Sequence, residues 1–92
     1  MKNITTLDLS EIELNSIPLS IQLLVYLENL DVSNNQIIEI PTFLATSLTL
    51  LKNCNLKGNP LTMVPQKVRK NIDNYEKIKE YLNDLKEEKT IW

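Results

Sequence analysis

The feature that most constrains this chain is a repeat of 23 or 24 residues that runs through its first two-thirds. Pro18, Pro41 and Pro65 each follow an aliphatic residue, and they stand 23 and 24 residues apart. A fixed period in the twenties is typical of a solenoid, in which each repeat buries its apolar side only against neighbouring repeats. Function in such a protein belongs to a surface rather than to a reactive site.

Each repeat has the same internal pattern of apolar positions. The three copies read Ile4-x-x-Leu7-x-Leu9-x-x-Ile12-x-Leu14-x-x-Ile17-Pro18, Leu27-x-x-Leu30-x-Val32-x-x-Asn35-x-Ile37-x-x-Ile40-Pro41 and Leu51-x-x-Cys54-x-Leu56-x-x-Asn59-x-Leu61-x-x-Val64-Pro65. This pattern resembles that of the leucine-rich repeat family, LxxLxLxxNxL. The proline ending resembles the intracellular, Ras-pathway-type branch of that family. The resemblance covers about residues 4 to 65.

The resemblance implies an α/β fold, a short leucine-rich-repeat solenoid of three coils with a parallel sheet on its concave face. The coils are expected over about residues 4-26, 27-50 and 51-65, within a repeat unit of residues 1-65. One departure is Ile12, which stands where the later repeats have Asn35 and Asn59. The first coil therefore lacks the side-chain amide that satisfies the backbone of a tight turn.

Alternation of side chains predicts the strands. In Leu30-Asp31-Val32 the two apolar residues point into the core and Asp31 points to the open face. The second repeat is one residue longer than the first, and we expect residues 46–49 to absorb the difference as a bulge on the convex side. The predicted strands lie near Leu7–Leu9, Leu30–Val32 and Cys54–Leu56.

After Pro65 the apolar spacing changes to that of a helix. Asp73, with Glu76 three residues later, suggests a variant of the capping box, and Asn71 is a competing cap. We expect residues 66-92 to form a C-terminal capping helix and tail that cover the third coil within the same domain. The residues expected on one helix face are Val68, Ile72, Tyr75, Ile78, Leu82 and Leu85.

Both ends of the predicted array suggest contact with something larger. The stretch from Gly58-Asn59-Pro60-Leu61 to Ile78-Lys79-Glu80-Tyr81-Leu82 resembles the end of the repeat array in Roco-type proteins, where a similar helix leads into a GTPase domain. No GxxxxGK[ST] phosphate loop occurs in this sequence, so no nucleotide-binding residue is implied. At the other end, an apolar edge would imply further repeats, a partner or self-association. That edge is predicted to contain Ile4, Leu7, Leu14 and Ile17.

Composition argues against several functional classes. The chain has no histidine, which removes the commonest general base and metal ligand. Its single cysteine, Cys54, falls at a core position and cannot form a zinc site, and one glycine, Gly58, cannot form a phosphate-binding loop. We therefore expect no enzyme activity, cofactor or metal. The net charge of −2 and the lack of a long apolar run predict no nucleic-acid or membrane partner. An unpaired thiol and the absence of a signal peptide favour a cytoplasmic location.

The concave face is the predicted binding surface for a protein partner. Its charge changes from acidic in the first two repeats to basic in the third, which suits a partner with a charge pattern of its own. Asp8 and Asp31 share a column and are expected to lie close enough for each to perturb the other. The alternative is a scaffold element, or part of a larger multidomain protein, that packs through its open N-terminal edge or its helix. The predicted partner-binding residues are Asp8, Asn29, Asp31, Asn53, Asn55 and Lys57.

Overall fold

The computed structural model describes residues 3–91 and, within the last helix, side chains as far as residue 85. Three short parallel strands form one sheet in the order β1-β2-β3. The strands are β1 (Thr6–Asp8), β2 (Asn29–Asp31) and β3 (Asn53–Asn55). Their register follows the repeat, because Leu30 lies beside both Leu7 and Cys54. The chain is a small α/β unit; the predicted tail residue Trp92 lies outside the described residues.

Each strand begins and ends one residue earlier than the alternation predicts. A side-chain oxygen at the last strand position contributes to the earlier end. Asp31 Oδ1 accepts a hydrogen bond from the Ser33 backbone N–H at 3.0 Å, and Asn55 Oδ1 accepts one from Lys57 N–H at 3.1 Å. Such a bond to a residue two positions on turns the chain out of the strand.

The helical segments that lie on the side away from the sheet differ between the first two repeats. The first uses a 3-10 helix, Leu19–Leu23, and the second uses α1 (Phe43–Thr46). Ile21 N–H bonds the carbonyl three residues back, whereas Ser47 N–H bonds the carbonyl four residues back, Phe43 O. The extra residue is thus absorbed by a wider helical turn, and the predicted bulge at residues 46–49 is wrong.

Asn35 and Asn59 connect consecutive repeats. The Asn35 side chain accepts hydrogen bonds from the backbone N–H groups of Ile12 and Leu14, both at 3.0 Å, and donates to Leu9 O at 2.9 Å. Asn59 does the same one repeat later, through Ile37 N–H and Val32 O. The turn of the first repeat, which has Ile12 instead of asparagine, is therefore held by the amide of the second.

The predicted C-terminal helix is two helices. These are α2 (Gln66–Arg69) and α3 (Tyr75–Ile91), separated by a turn. Asn74, and not Asp73 or Asn71, caps α3, because its Oδ1 accepts a hydrogen bond from Lys77 N–H at 3.4 Å. Val68 and Ile72 lie before α3 but are still half-buried against the core. The apolar spacing therefore identified the inward-facing residues but not the break between the helices.

Helix α3 packs on the end of the core. Tyr75, Ile78 and Leu82 are buried, and the Tyr75 hydroxyl donates a hydrogen bond to Leu44 O of α1 at 3.0 Å. Among the described residues, no helix has both the length and the apolar character needed to cross a membrane.

The opposite end of the core is only partly covered. Ile4, Leu7 and Leu14 are half-buried as predicted, and Leu9 joins them. Ile17 departs from the prediction, because it is only 5% exposed and belongs to the buried cluster together with Ile21 of the 3-10 helix. The first repeat therefore has an incompletely covered apolar side.

Candidate functional site

One side of the sheet is polar and open. We call it the polar sheet face; it consists of Thr6, Asp8, Asn29, Asp31, Asn53 and Asn55. The strands alternate, so that Leu30 and Cys54 between these residues are buried on the other side. Side chains connect the strands across the face: Asn53 Nδ2 donates to Asn29 Oδ1 at 2.8 Å, and Asn29 Nδ2 donates to Thr6 Oγ1 at 3.3 Å. This row of amides is held in place by its own hydrogen bonds.

The second row of the polar sheet face contains two carboxylates. Asp8 and Asp31 are register partners on adjacent strands, and Asn55 continues the row. The side chain and backbone of Ser10 both donate to Asp8 Oδ1, at 2.7 and 2.9 Å. These bonds lower the pKa of Asp8 below its ordinary value of 3.8, the side-chain bond contributing most. Ser10, rather than the neighbouring carboxylate, is therefore the main influence on the pKa of Asp8.

Five of the six predicted partner-binding residues line a single depression. Its volume is about 270 Å³, and Leu7 and Leu30 contribute to its lining between the polar side chains. The depression is open to solvent and spans all three strands, so an elongated group can contact every repeat at once. The predicted residues that line it are Asp8, Asn29, Asp31, Asn53 and Asn55.

Lys57, the sixth predicted residue, lies apart from this depression. It lines a second one of about 230 Å³ at the β3 side, together with Asn53, Asn55, Asp73 and Tyr75. Sequence reasoning assigned Asp73 to a helix cap and missed this placement. Asp73 reaches this depression only because the turn between α2 and α3 returns to the sheet. No local pattern in the sequence encodes that return.

The predicted charge gradient across the strands is weaker than the sequence suggests. The third repeat has two lysines, Lys52 and Lys57, and Lys52 Nζ lies 3.5 Å from Glu28 Oε1, so one of the two is paired within the protein. Ser33, which follows Asp31 by two residues, is only 6% exposed and adds little to the exposed polar surface. Lys57 thus remains as the basic group of the third repeat on this side.

Cys54 is part of the core rather than of a reactive site. Its side chain is buried, and burial, with a smaller contribution from Asp31, raises the pKa of the thiol to about 12. A thiol in this state is a poor nucleophile and a poor metal ligand at neutral pH. Within the described residues, no three histidine, cysteine, aspartate or glutamate side chains are grouped so that they could hold a metal ion.

The parallel sheet, the repeated strand–turn unit and the asparagine bridges define a small α/β repeat protein with a polar open surface. The Leucine Rich Repeat family model matches residues 26–47, which cover most of the second repeat. This match supports a leucine-rich repeat protein, and such repeats generally mediate protein–protein interactions. Comparisons with curated proteins and with solved structures found no match.

Proposed function

We propose that this protein is a non-catalytic interaction module that binds a protein partner through the polar sheet face. The observation behind the proposal is that Asp8, Asn29, Asp31, Asn53 and Asn55, from three separate strands, line one open depression. The amide row is pre-organised by hydrogen bonds, which lowers the entropy lost when a partner is bound. The family match supports the same class of function.

The fold that goes with this function is a three-coil solenoid with the polar sheet face as its concave side and α3 as its terminal cap. The buried contacts of Tyr75, Ile78 and Leu82 support the role of α3. Terminal units of repeat arrays must cover the apolar side of the last repeat. Assignment to the Ras-pathway-type branch, and the resemblance of α3 to the end of a Roco-type array, stay predictions.

The proposal is tested by removing the two carboxylate charges without disturbing the strand ends. Asn55 makes the same bond to the residue two positions on as Asp31 does, so asparagine is a suitable replacement. We expect Asp8→Asn/Asp31→Asn to fold like the parent and to lose most of its partner binding. The measurement is affinity capture from lysate of the source cell, followed by a titration of the purified partner.

A matched control changes two acids elsewhere. Glu80 and Asp84 are exposed on α3, and Glu80→Gln/Asp84→Asn alters the net charge by the same amount. A partner retained by the parent and the control but lost by the Asp8/Asp31 variant supports the polar sheet face. A partner that binds all three proteins equally contradicts it.

The second candidate function is that of a scaffold element that packs within a larger chain or assembly. The half-buried Ile4, Leu7, Leu9 and Leu14 favour it, because an incompletely covered core side invites contact. Packing through α3 is the other form of this candidate. Retained binding in the Asp8/Asp31 variant favours either form.

We also propose a cytoplasmic location and a partner that is neither nucleic acid nor membrane. Cys54 is the only cysteine of the sequence and is buried, so it is protected from oxidation and forms no disulfide within the chain. A thiol of this kind suits a reducing compartment. The net charge of −2 supplies no attraction for polyanionic surfaces.

A further inference from the structure

The backbone groups on the outer side of β1 make no hydrogen bond with any described residue. Leu9 N–H donates to Asp31 O of β2 at 2.7 Å, and Thr5 O accepts from Glu28 N–H at 2.8 Å. Successive residues of an extended strand direct their peptide groups to opposite sides. Thr6 and Asp8 therefore direct theirs away from β2, and within the described residues no strand lies on that side. Such an edge is a template for a further strand.

The apolar residues beside this edge are the ones that a further strand would cover. Four positions of the first repeat are half-buried, whereas the same positions of the second repeat are no more than 2% exposed. Ile12 adds an apolar side chain that is 52% exposed. The half-buried residues are Ile4, Leu7, Leu9 and Leu14, and their buried counterparts are Leu27, Leu30, Val32 and Ile37. We call these four half-buried residues and the outer side of β1 the N-terminal edge.

Among the described residues, the charged side chains of the first repeat are all acidic. Residues 3–27 contain Asp8, Glu11 and Glu13 but no lysine, arginine or histidine. A second copy of this chain would bring the same three carboxylates to the same edge, where they would repel. A basic segment is complementary to them. A further repeat in the same register fits less well, because Ile12 stands where Asn35 and Asn59 bridge to the preceding repeat.

We propose that the N-terminal edge binds, as a fourth strand, an extended segment of a protein partner in which apolar and basic residues alternate. Addition of a strand to a sheet edge is an established mode of peptide recognition. Its apolar side chains would cover Leu7 and Leu9, and its basic side chains would lie beside Asp8 and near Glu11 and Glu13. This proposal shares Asp8 with the polar sheet face, but it differs from binding there because the hydrogen bonds form with the backbone on the outer side of β1.

The test uses the isotope-labelled chain and two synthetic peptides, one alternating valine with lysine and one alternating valine with glutamate. With the valine–lysine peptide at millimolar concentration, we expect the amides of Thr6 and Asp8 to shift and to exchange more slowly with solvent. The amides of Asn53 and Asn55, on the far strand, serve as the internal reference. The valine–glutamate peptide is expected to leave all four amides unchanged.

Two variants make the test specific. Thr6→Pro removes an N–H that points away from the sheet and is expected to abolish peptide binding, since proline is tolerated on edge strands in that orientation. Glu11→Gln/Glu13→Gln keeps side-chain size and is expected to weaken binding about tenfold.

An absent response of Thr6 and Asp8, an equal response to both peptides, or shifts confined to Asn29 and Asn53 would overturn the proposal. Concentration-dependent protection of Thr6 and Asp8 without peptide would also overturn it and assign the edge to a second copy.

Discussion

Gly58 occupies a position whose backbone conformation disfavours side chains. Its φ is +76°, and Glu11 and Asn34, at the same place in the other repeats, have φ of 56° and 57°. A Cβ at Gly58 would meet the side-chain oxygen of Asn34 and lie 3.1 Å from its Cα. We expect Gly58→Ala to lower the free energy of unfolding by at least about 1–2 kcal/mol, the cost of a left-handed residue with a side chain. Equilibrium urea unfolding measures the change.

The equivalent position of the first repeat supplies the control. Glu11→Gly removes a side chain from a left-handed residue, so we expect an unchanged or higher free energy of unfolding. An alanine at Gly58 that leaves the unfolding midpoint in place would contradict the assignment of strain to this turn.

Cys54 predicts how stability depends on alkaline pH. Burial raises the pKa of its thiol from the ordinary 9.0 to about 12, so the unfolded chain loses its proton first. Ionisation of Cys54 therefore leaves stability unchanged below about pH 9 and lowers it as the pH rises towards 12. We expect Cys54→Val to make this fall shallower, although Tyr75, whose pKa burial also raises, still contributes. Thermal melts of both proteins between neutral and alkaline pH measure the loss of stability. An equally steep loss in the parent and the variant would contradict the prediction.

At the residue scale, the repeat pattern identified the important side chains more reliably than it identified their contacts. The turn-forming role of Asn35 and Asn59 followed from their place in the repeat. That each also bonds the preceding repeat depends on how the repeats stack, which a single copy of the pattern does not determine. Continued alternation after Asp31 would put Ser33 on the open face as well, but it is only 6% exposed, because the Asp31 side chain turns the chain just before it.

Among the elements, α3 is fixed to α1 by one buried hydrogen bond. Tyr75→Phe removes the hydroxyl that bonds Leu44 O and leaves that carbonyl unpaired. We expect the free energy of unfolding to fall by about 1–2 kcal/mol, without loss of the helix. Chemical unfolding and far-ultraviolet circular dichroism measure the two quantities.

Tyr81 provides the comparison for this change. It is half-buried on the same helix, and its hydroxyl makes no hydrogen bond with any described residue. Tyr81→Phe is expected to alter the free energy of unfolding by less than about 0.5 kcal/mol. Equal losses in the two variants would mean that the Tyr75–Leu44 bond does not hold α3.

Element types followed from the sequence more reliably than element ends did. Period-two alternation located three strands to within one residue, because burial of alternate side chains is a local signal. The break between α2 and α3 was missed, since Val68 and Ile72 face the core in both the predicted and the observed arrangement. Only the cap formed by Asn74 distinguishes the two, and Asn71 and Asp73 offered equally good caps in the sequence.

At the scale of the whole molecule, the apolar core is covered to different extents at the two ends of the sheet. The β3 side is covered by buried side chains of α3, whereas the β1 side leaves four core residues half-exposed. Charge is separated along the same direction, since residues 3–51 contain six acids and no base, and residues 52–72 contain five bases and no acid. A partner that contacts both ends should therefore bind with a marked dependence on ionic strength.

The covered end gives the clearest test of the architecture. Ile78 has 0% exposure, so Ile78→Asp places an unpaired charge between α3 and the repeats. We expect a loss of about 3 kcal/mol or more, which is much of the stability of a domain of this size. If α3 is an integral cap, the amides of β2 and β3 lose their protection from hydrogen exchange together with the helix. Lys77→Asp, at an exposed neighbouring position, should leave that protection unchanged. Intact protection of β3 in the Ile78→Asp protein would mean that the repeats fold without their helix.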